Sequence, residues 1–431
     1  MRGKRVLPIL LKVVGIPFSI IIISVTGLLL LALVYCIPTE RMANNLTTAC
    51  MVMEREGTYP KPMYKENSQL DNYTDAIMLM TAANPKGEDN AFTASINCEH
   101  YTTGKTPDKD LIYIYSDNGT GYKNTEYARY WHGYLVFLKP LLYFFDYGQI
   151  KYIMMAIQLG LFVLLVVMIS KRNSRLSVPI FLGALFINPV ATMLSLQYNS
   201  VCLITLLAMI LVVYLTDIWN EKNIYKWSIL FLIMGAVTSF IDLLTFPLVS
   251  LGFPLLLYVG LSQRSLSLKG LWKDIFKTSL LSVSWLFGYG ANLFMKWCWG
   301  SLITQRNIFE NAFKQLRSRT SSDFEEKKVG FPEVLSRQTD VIFKWVWLAI
   351  MVALIVTLVV FLLRNKRVDV KLLVLNAFIG SFPFVWYAFT KNHSYVHSFF
   401  TFRELAVLIF AFSSFVVLHI PTKKGIVEYK T

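Results

Sequence analysis

Charge is scarce in this chain: Asp, Glu, Lys and Arg make up only 16% of its 431 residues, against 55% hydrophobic side chains. So little polar surface cannot cover a soluble core of that size, which excludes a cytosolic globular enzyme and a disordered chain. Cysteine is sparse too, five in all. That excludes a small disulfide-built secreted domain, and the five do not fall at zinc-ligand spacings. A glycine-rich phosphate loop is missing as well, which removes the usual means of holding a nucleotide-linked donor.

What the chain has instead is length without charge. A bilayer core about 30 Å thick is crossed by about 20 apolar residues in helical form. Stretches free of Asp, Glu, Lys and Arg run over 13–39, 152–170, 176–216, 227–241, 243–263, 278–295, 345–363, 372–390 and 405–422. The stretch 176–216 is twice one span, with a natural turn at Gln197, Tyr198 and Asn199. The expectation is an all-α integral membrane protein with about ten transmembrane helices, residues 1–431 forming one polytopic domain. The 13–39 run is too long for the apolar part of a signal peptide and ends without a small-residue cleavage site, so it reads as a retained first helix.

The net charge of +15 would suggest nucleic acid in a soluble protein, but its placement says otherwise. With Met1 in the cytoplasm, the alternate connections hold Arg2, Lys4, Arg5, Lys12, Lys171, Arg172, Arg175, Lys222, Lys226, Arg264, Lys269, Lys273, Lys277, Arg364, Lys366, Arg367, Lys371, Lys423, Lys424 and Lys430. Only Asp217, Glu221, Asp274, Asp369 and Glu428 oppose them, so the whole excess falls on one face. That is the positive-inside pattern, with both termini in the cytoplasm. The partner it implies is the bilayer with its anionic headgroups, and no nucleic acid is expected.

Two longer segments then face outside, 38–149 and 300–342. The first holds Cys50 and Cys98, which in an oxidising compartment are as well suited to a disulfide as to two free thiols. Within it, Asp71 precedes an apolar rhythm at Ile77, Leu79 and Met80, which predicts a helix capped by Asp71 and places Asp75 on the same face at i, i+4. Two like charges so close raise the pKa of one member, and a carboxylate tuned toward neutrality serves as a base. The plainer reading is a capping Asp71 beside a solvated Asp75.

The segment 128–145 is dense in aromatic residues and suits an interfacial helix, with Arg129, Tyr130, Trp131 and His132 beside the rings. Near the last outer connection, Lys391, His393, His397 and Arg403 gather within thirteen residues and suit a phosphate site. Lys391 as a helix cap and Arg403 paired with Glu404 is the plain alternative. A metal site on His393 and His397 has only Glu404 nearby as a carboxylate, so no metal is assigned, and a divalent cation is left open. Asp242 lies inside apolar sequence just before Pro247, which marks a broken helix or a span that ends there.

The segments 70–75, 130–134, 242–247 and 391–397 together resemble a group of multi-pass membrane proteins of Gram-positive bacteria. Their layout is similar to that of the GT-C class of integral-membrane glycosyltransferases, and the likeness runs along nearly the whole chain. The resemblance implies a bacterial plasma-membrane enzyme with its site facing outside. It implies a polyprenyl-phosphate-linked sugar as donor and a cell-envelope glycan or other extracytoplasmic acceptor. It also implies a catalytic carboxylate in the large first outer loop and cations for the donor phosphate. The class often places its acidic residue just after the first helix, where this chain has Glu40; Asp75 and Asp71 rank above it here.

The expected chemistry is inverting transfer. Asp71 or Asp75 takes the acceptor proton, Lys391, His393, His397, Arg403 and Arg129 meet the phosphate, and Tyr130, Trp131 and His132 hold the sugar. Asp242 is counted with the substrate-binding residues. The competing expectation is a transporter or flippase for a lipid-linked or anionic precursor, although the chain has no internal repeat and Asp242 alone as a midplane charge.

Overall fold

Each charge-free stretch carries helix in a computed structural model of the chain, which describes residues 3–87, 89–262, 270–325, 327–364 and 369–419. Among the described residues, seven helical segments are long and apolar enough to cross a membrane: Pro17–Val34, Tyr147–Ile187, Leu196–Leu215, Ile224–Ile241, Lys344–Phe361, Val370–Phe389 and Ser398–His419. Tyr147–Ile187 takes in the 152–170 stretch and the start of the 176–216 stretch, joined through a tight turn at Ser174–Leu176. The stretch after Asp242 yields Leu248–Ser262, whose 15 residues span only about 23 Å at 1.5 Å per residue. The 278–295 stretch lies within a longer helix, Leu271–Thr304, of 34 residues, about 51 Å and longer than an apolar core is thick. Of the cations in the charge pattern, Arg2, Arg264, Lys269, Lys366, Arg367, Lys423, Lys424 and Lys430 lie outside the described residues, as do Glu428 and the end of the 405–422 stretch.

Two glycines explain the closest helix pairing. A Cβ on Gly235 would fall 1.9 Å from the Trp285 carbonyl oxygen, and one on Gly288 would fall 2.0 Å from that of Leu232. Only bare backbones let Ile224–Ile241 and Leu271–Thr304 approach so near, the small-residue contact common between helices in lipid.

The 38–149 segment packs into a core that it shares with the neighbouring helices, in which Met42, Leu46, Met53, Met78, Leu79 and Trp131 cluster with Leu31, Leu196 and Trp297. Its helices are Glu40–Asn45, Thr47–Glu56, Asn72–Ala83, Ala91–Asn97, Pro107–Tyr115 and Leu135–Phe144. A small antiparallel pair, His100–Thr102 with Lys123–Thr125, joins them, and a second pair at Asp323–Phe324 and Lys327–Lys328 lies in the 300–342 segment. Among the described residues these pairs are the one addition of strand to a helical architecture. Among the described residues no disulfide forms: the Cys50 thiol donates to the Leu111 carbonyl at 3.6 Å and the Cys98 thiol to that of Ser95 at 3.1 Å.

Two buried lysines in this fold meet the carbonyl ends of helices. Lys139 donates to the Ala82 carbonyl (2.7 Å) at the end of Asn72–Ala83. Lys296 donates to Ser95 (3.2 Å) and Ile96 (3.0 Å) near the end of Ala91–Asn97. Cations there meet the unpaired carbonyls and the negative end of the helix dipole. The same rule places the acidic side chains of the next section.

Candidate functional site

Asp71 is the N-cap of Asn72–Ala83, as the sequence rhythm requires. Its carboxylate accepts from the Thr74 backbone N–H (3.1 Å) and hydroxyl (2.7 Å). It is 3% exposed, and burial raises its carboxyl to about 7 despite the two Thr74 bonds that favour the anion. Tyr59, Tyr73 and Tyr198 face it. Tyr59 and Tyr73 stack at 6.4 Å between ring centres, and Tyr59 meets Phe399 edge-on at 5.5 Å. Asp71 therefore lies under a partly exposed rim of phenols.

Asp75 is neither solvated nor free. It is fully buried and accepts four hydrogen bonds, from Tyr147 Oη (3.0 Å), Ser195 Oγ (3.2 Å), Leu196 N (3.0 Å) and Gln197 N (3.1 Å). These donors include the first N–H groups of Leu196–Leu215, so Asp75 caps a helix of the bundle from the long loop. Spacing along one helix could not reveal this, because the partners lie 72 to 122 residues away.

The aromatic segment is helical only from Leu135 to Phe144. Before it the chain turns, with His132 at φ 52° and the Gly133 N–H bonded to the Phe240 carbonyl at 2.7 Å. A Cβ on Gly133 would lie 2.4 Å from that same oxygen, so the turn exists because residue 133 has none. Trp131 is buried and donates to the Asn292 carbonyl at 2.7 Å. Both nitrogens of His132 are engaged, with Tyr134 Oη and the Tyr127 carbonyl, each at 2.9 Å. Burial and then Lys296 hold that imidazole neutral, far below its ordinary range. Trp131 and His132 thus fasten the turn and present no free sugar-binding face.

Arg403 is also occupied. It is fully buried and donates to the carbonyls of Ile187 (2.8 Å), Phe399 (3.0 Å) and Asn67 (3.2 Å), stitching the long loop to two broken helices. Glu404 does not pair with it and instead meets the Leu248 N–H at 3.4 Å. Asp242 closes its own turn through the Thr245 N–H (3.1 Å) and hydroxyl, and Ile224–Ile241 ends before it.

His393 and His397 stand 4.9 Å apart, on and just after the short helix Lys391–Val396, where Lys391 is half-buried. They do not act as cations. Burial, joined by Arg319, pushes His397 down to about 3. Burial, His397 and Arg319 hold His393 far below its usual value. Arg319, at the end of Ile308–Thr320, donates to His397 Nε2 at 2.6 Å. It had no local sequence signal. The 300–342 segment carries it in by folding back on the histidines, with Asn392 N–H bonded to the Ser321 carbonyl (3.1 Å) and Gln338 to that of Ser394 (2.6 Å).

Arg129 completes the group. Its guanidinium lies over the rings of Tyr127 (4.3 Å) and Tyr130 (5.3 Å), and its buried Nε–H has no partner. Burial and the Tyr130 phenol raise Tyr127, while Arg129 and Arg319 both oppose that rise, so both guanidinium groups act on one phenol. Among the described residues every ion pair lies elsewhere, and no carboxylate answers Arg129 or Arg319. Two uncompensated guanidinium groups suit an anionic ligand, and Asp71 is linked to them through Tyr73, which neighbours both Tyr127 and Asp71. Among the described residues no cluster of three His, Cys, Asp or Glu side chains suits a metal.

A separate cavity of about 350 Å³ lies among the helices, lined by Phe162, Phe253 and Met209 around a polar base of Gln158 and Thr192. It opens on the surface of the bundle, where Leu159, Phe181 and Leu185 are exposed. Its wall includes Ile187, whose carbonyl holds Arg403.

Comparison of the chain with protein-family models, with curated proteins and with solved structures returned no match.

Proposed function

We infer that the protein is a GT-C-like glycosyltransferase of a bacterial plasma membrane. It moves a sugar from a polyprenyl phosphate to a cell-envelope acceptor, with about ten helices, both termini in the cytoplasm and the site outside. The observation that carries this reading is the pair Arg129 and Arg319, free of carboxylate partners and both acting on Tyr127, with Tyr73 connecting that ring to Asp71. Asp71 takes the proton of the acceptor hydroxyl as its oxygen attacks the anomeric carbon. The bond from that carbon to the phosphate oxygen breaks, and polyprenyl phosphate leaves with charge that Arg129 and Arg319 meet. The apolar cavity beside Ile187 accommodates a hydrocarbon tail entering from lipid.

The test is release of free polyprenyl phosphate from a panel of short-chain polyprenyl-phosphate sugars, by full-length protein in nanodiscs with cell-envelope fragments as acceptors. Wild type turns over one member of the panel, and Asp71→Asn does not. A flippase is favoured by one feature, the buried Glu404 with an unpartnered Oε2 near Asp242. Transbilayer movement of the lipid without release of polyprenyl phosphate is the result that selects it.

A further inference from the structure

The two ring nitrogens of His393 are not equivalent. Nε2 lies 2.9 Å from the Leu244 carbonyl oxygen, which can only accept, so Nε2 carries the proton and Nδ1 a bare lone pair. That nitrogen is buried and has no partner, in a side chain 3% exposed. A buried acceptor left unmade costs free energy and calls for an occupant. The anchor is itself strained: Leu244 sits at φ 65°, a left-handed conformation that leucine rarely adopts, within the turn that Asp242 closes. His397 resolves the opposite way. Its Nε2 receives the Arg319 N–H, so its proton lies on Nδ1.

Of these two neutral rings, His393 therefore offers a lone pair and nothing else. A phosphate diester oxygen also brings only lone pairs and is not welcome there. A hydroxyl is. We propose that His393 Nδ1 accepts a hydrogen bond from a hydroxyl of the sugar bound in this site, and so distinguishes a glycosylated lipid phosphate from the bare lipid phosphate. The proposal rests on the glycosyltransferase reading and assigns His393 to the sugar instead of the phosphate. Sites built around a substrate hydroxyl discriminate strongly against ligands that lack it, because the buried partner is then left unmade.

The experiment measures binding of short-chain polyprenyl phosphate, bare or carrying glucose, mannose or galactose, to full-length protein in nanodiscs, for wild type and His393→Gln. Glutamine keeps an N–H for the Leu244 carbonyl and carries its acceptor on the amide oxygen, which does not coincide with the ring position of Nδ1. The expected result is a loss of roughly 10–100-fold in affinity for the preferred glycosylated probe, with the bare lipid phosphate unchanged. In wild-type protein with 15N-labelled histidine, the His393 Nδ1 resonance should move with that probe and not with the bare lipid. This readout decides the matter even where the variant fails to fold. Equal loss for both probes, unchanged affinity for both, or an unmoved resonance overturns the proposal and leaves a trapped water as the occupant. Wild type that binds neither probe overturns the functional reading, and the proposal with it, a result told apart by the absence of any wild-type binding.

Discussion

Replacing Asp75 by asparagine separates a structural carboxylate from a catalytic one. Oδ1 meets Ser195 Oγ and Gln197 N, and Oδ2 meets Tyr147 Oη and Leu196 N. Whichever oxygen becomes the amide, the hydroxyl of that pair can rotate to accept, but the backbone N–H cannot. One buried N–H is therefore orphaned, at about 1–3 kcal/mol. Removing the negative charge from the N-terminus of Leu196–Leu215 costs up to about 2 kcal/mol more. Burial already raises the Asp75 carboxyl, more than Lys151 and its hydrogen bonds lower it, so relief of desolvation returns part of that sum. The expected net loss is on the order of 2 kcal/mol, a fall of a few degrees in the apparent Tm of the nanodisc-embedded protein. Donor turnover per folded molecule should survive. A variant that melts like wild type yet turns over no donor would refute the capping argument and make Asp75 the base.

Asp71→Asn should behave in the opposite way, since asparagine caps a helix as well as aspartate does: turnover falls by roughly 10²–10⁴-fold with the fold kept. In wild type the base must be ionised, so with its carboxyl at about 7 the rate should climb through neutral pH and flatten above it. The stability sign follows from the same shift. The protonated carboxyl is favoured in the fold, so its contribution is full below the ordinary aspartate range and lost as pH rises through about 7. The Tm of Asp71→Asn relative to wild type should therefore rise across that window, and a flat difference would contradict it. Arg129→Gln and Arg319→Gln should each weaken binding of bare polyprenyl phosphate by roughly tenfold or more, read by titration in nanodiscs. Gly133→Ala should lower the Tm and the lipid-phosphate affinity together, because its Cβ meets the Phe240 carbonyl and displaces the turn that carries Arg129.

The helical, membrane-crossing character of the chain was legible because runs without charge leave a segment few other places to go. Asp71 as a cap was legible for a similar reason: the signal is local, three residues from donor to acceptor. The sequence marks Asp75 through its i, i+4 spacing from Asp71, Trp131 through the aromatic density around it and Arg403 through the cations clustered with it. In the fold each meets groups on distant elements, Leu196 N–H for Asp75 and the Asn292 and Ile187 carbonyls for Trp131 and Arg403, and a linear pattern does not encode such pairings. His393 and His397 were read as cations from residue type, whereas burial beside Arg319 leaves both neutral. Arg319 was missed because nothing near it in the chain distinguishes it from Arg317. Only the fold-back of the 300–342 segment brings it to the histidines.

The most direct test of the account is a structure of the full-length protein in nanodiscs with a short-chain polyprenyl-phosphate sugar that it binds. The account predicts the phosphate between Arg129 and Arg319, the anomeric carbon on the side of Asp71 and the lipid tail in the cavity beside Ile187. A phosphate seated instead along the bundle axis near Asp242 and Glu404, with Arg129 and Arg319 unengaged, would contradict it.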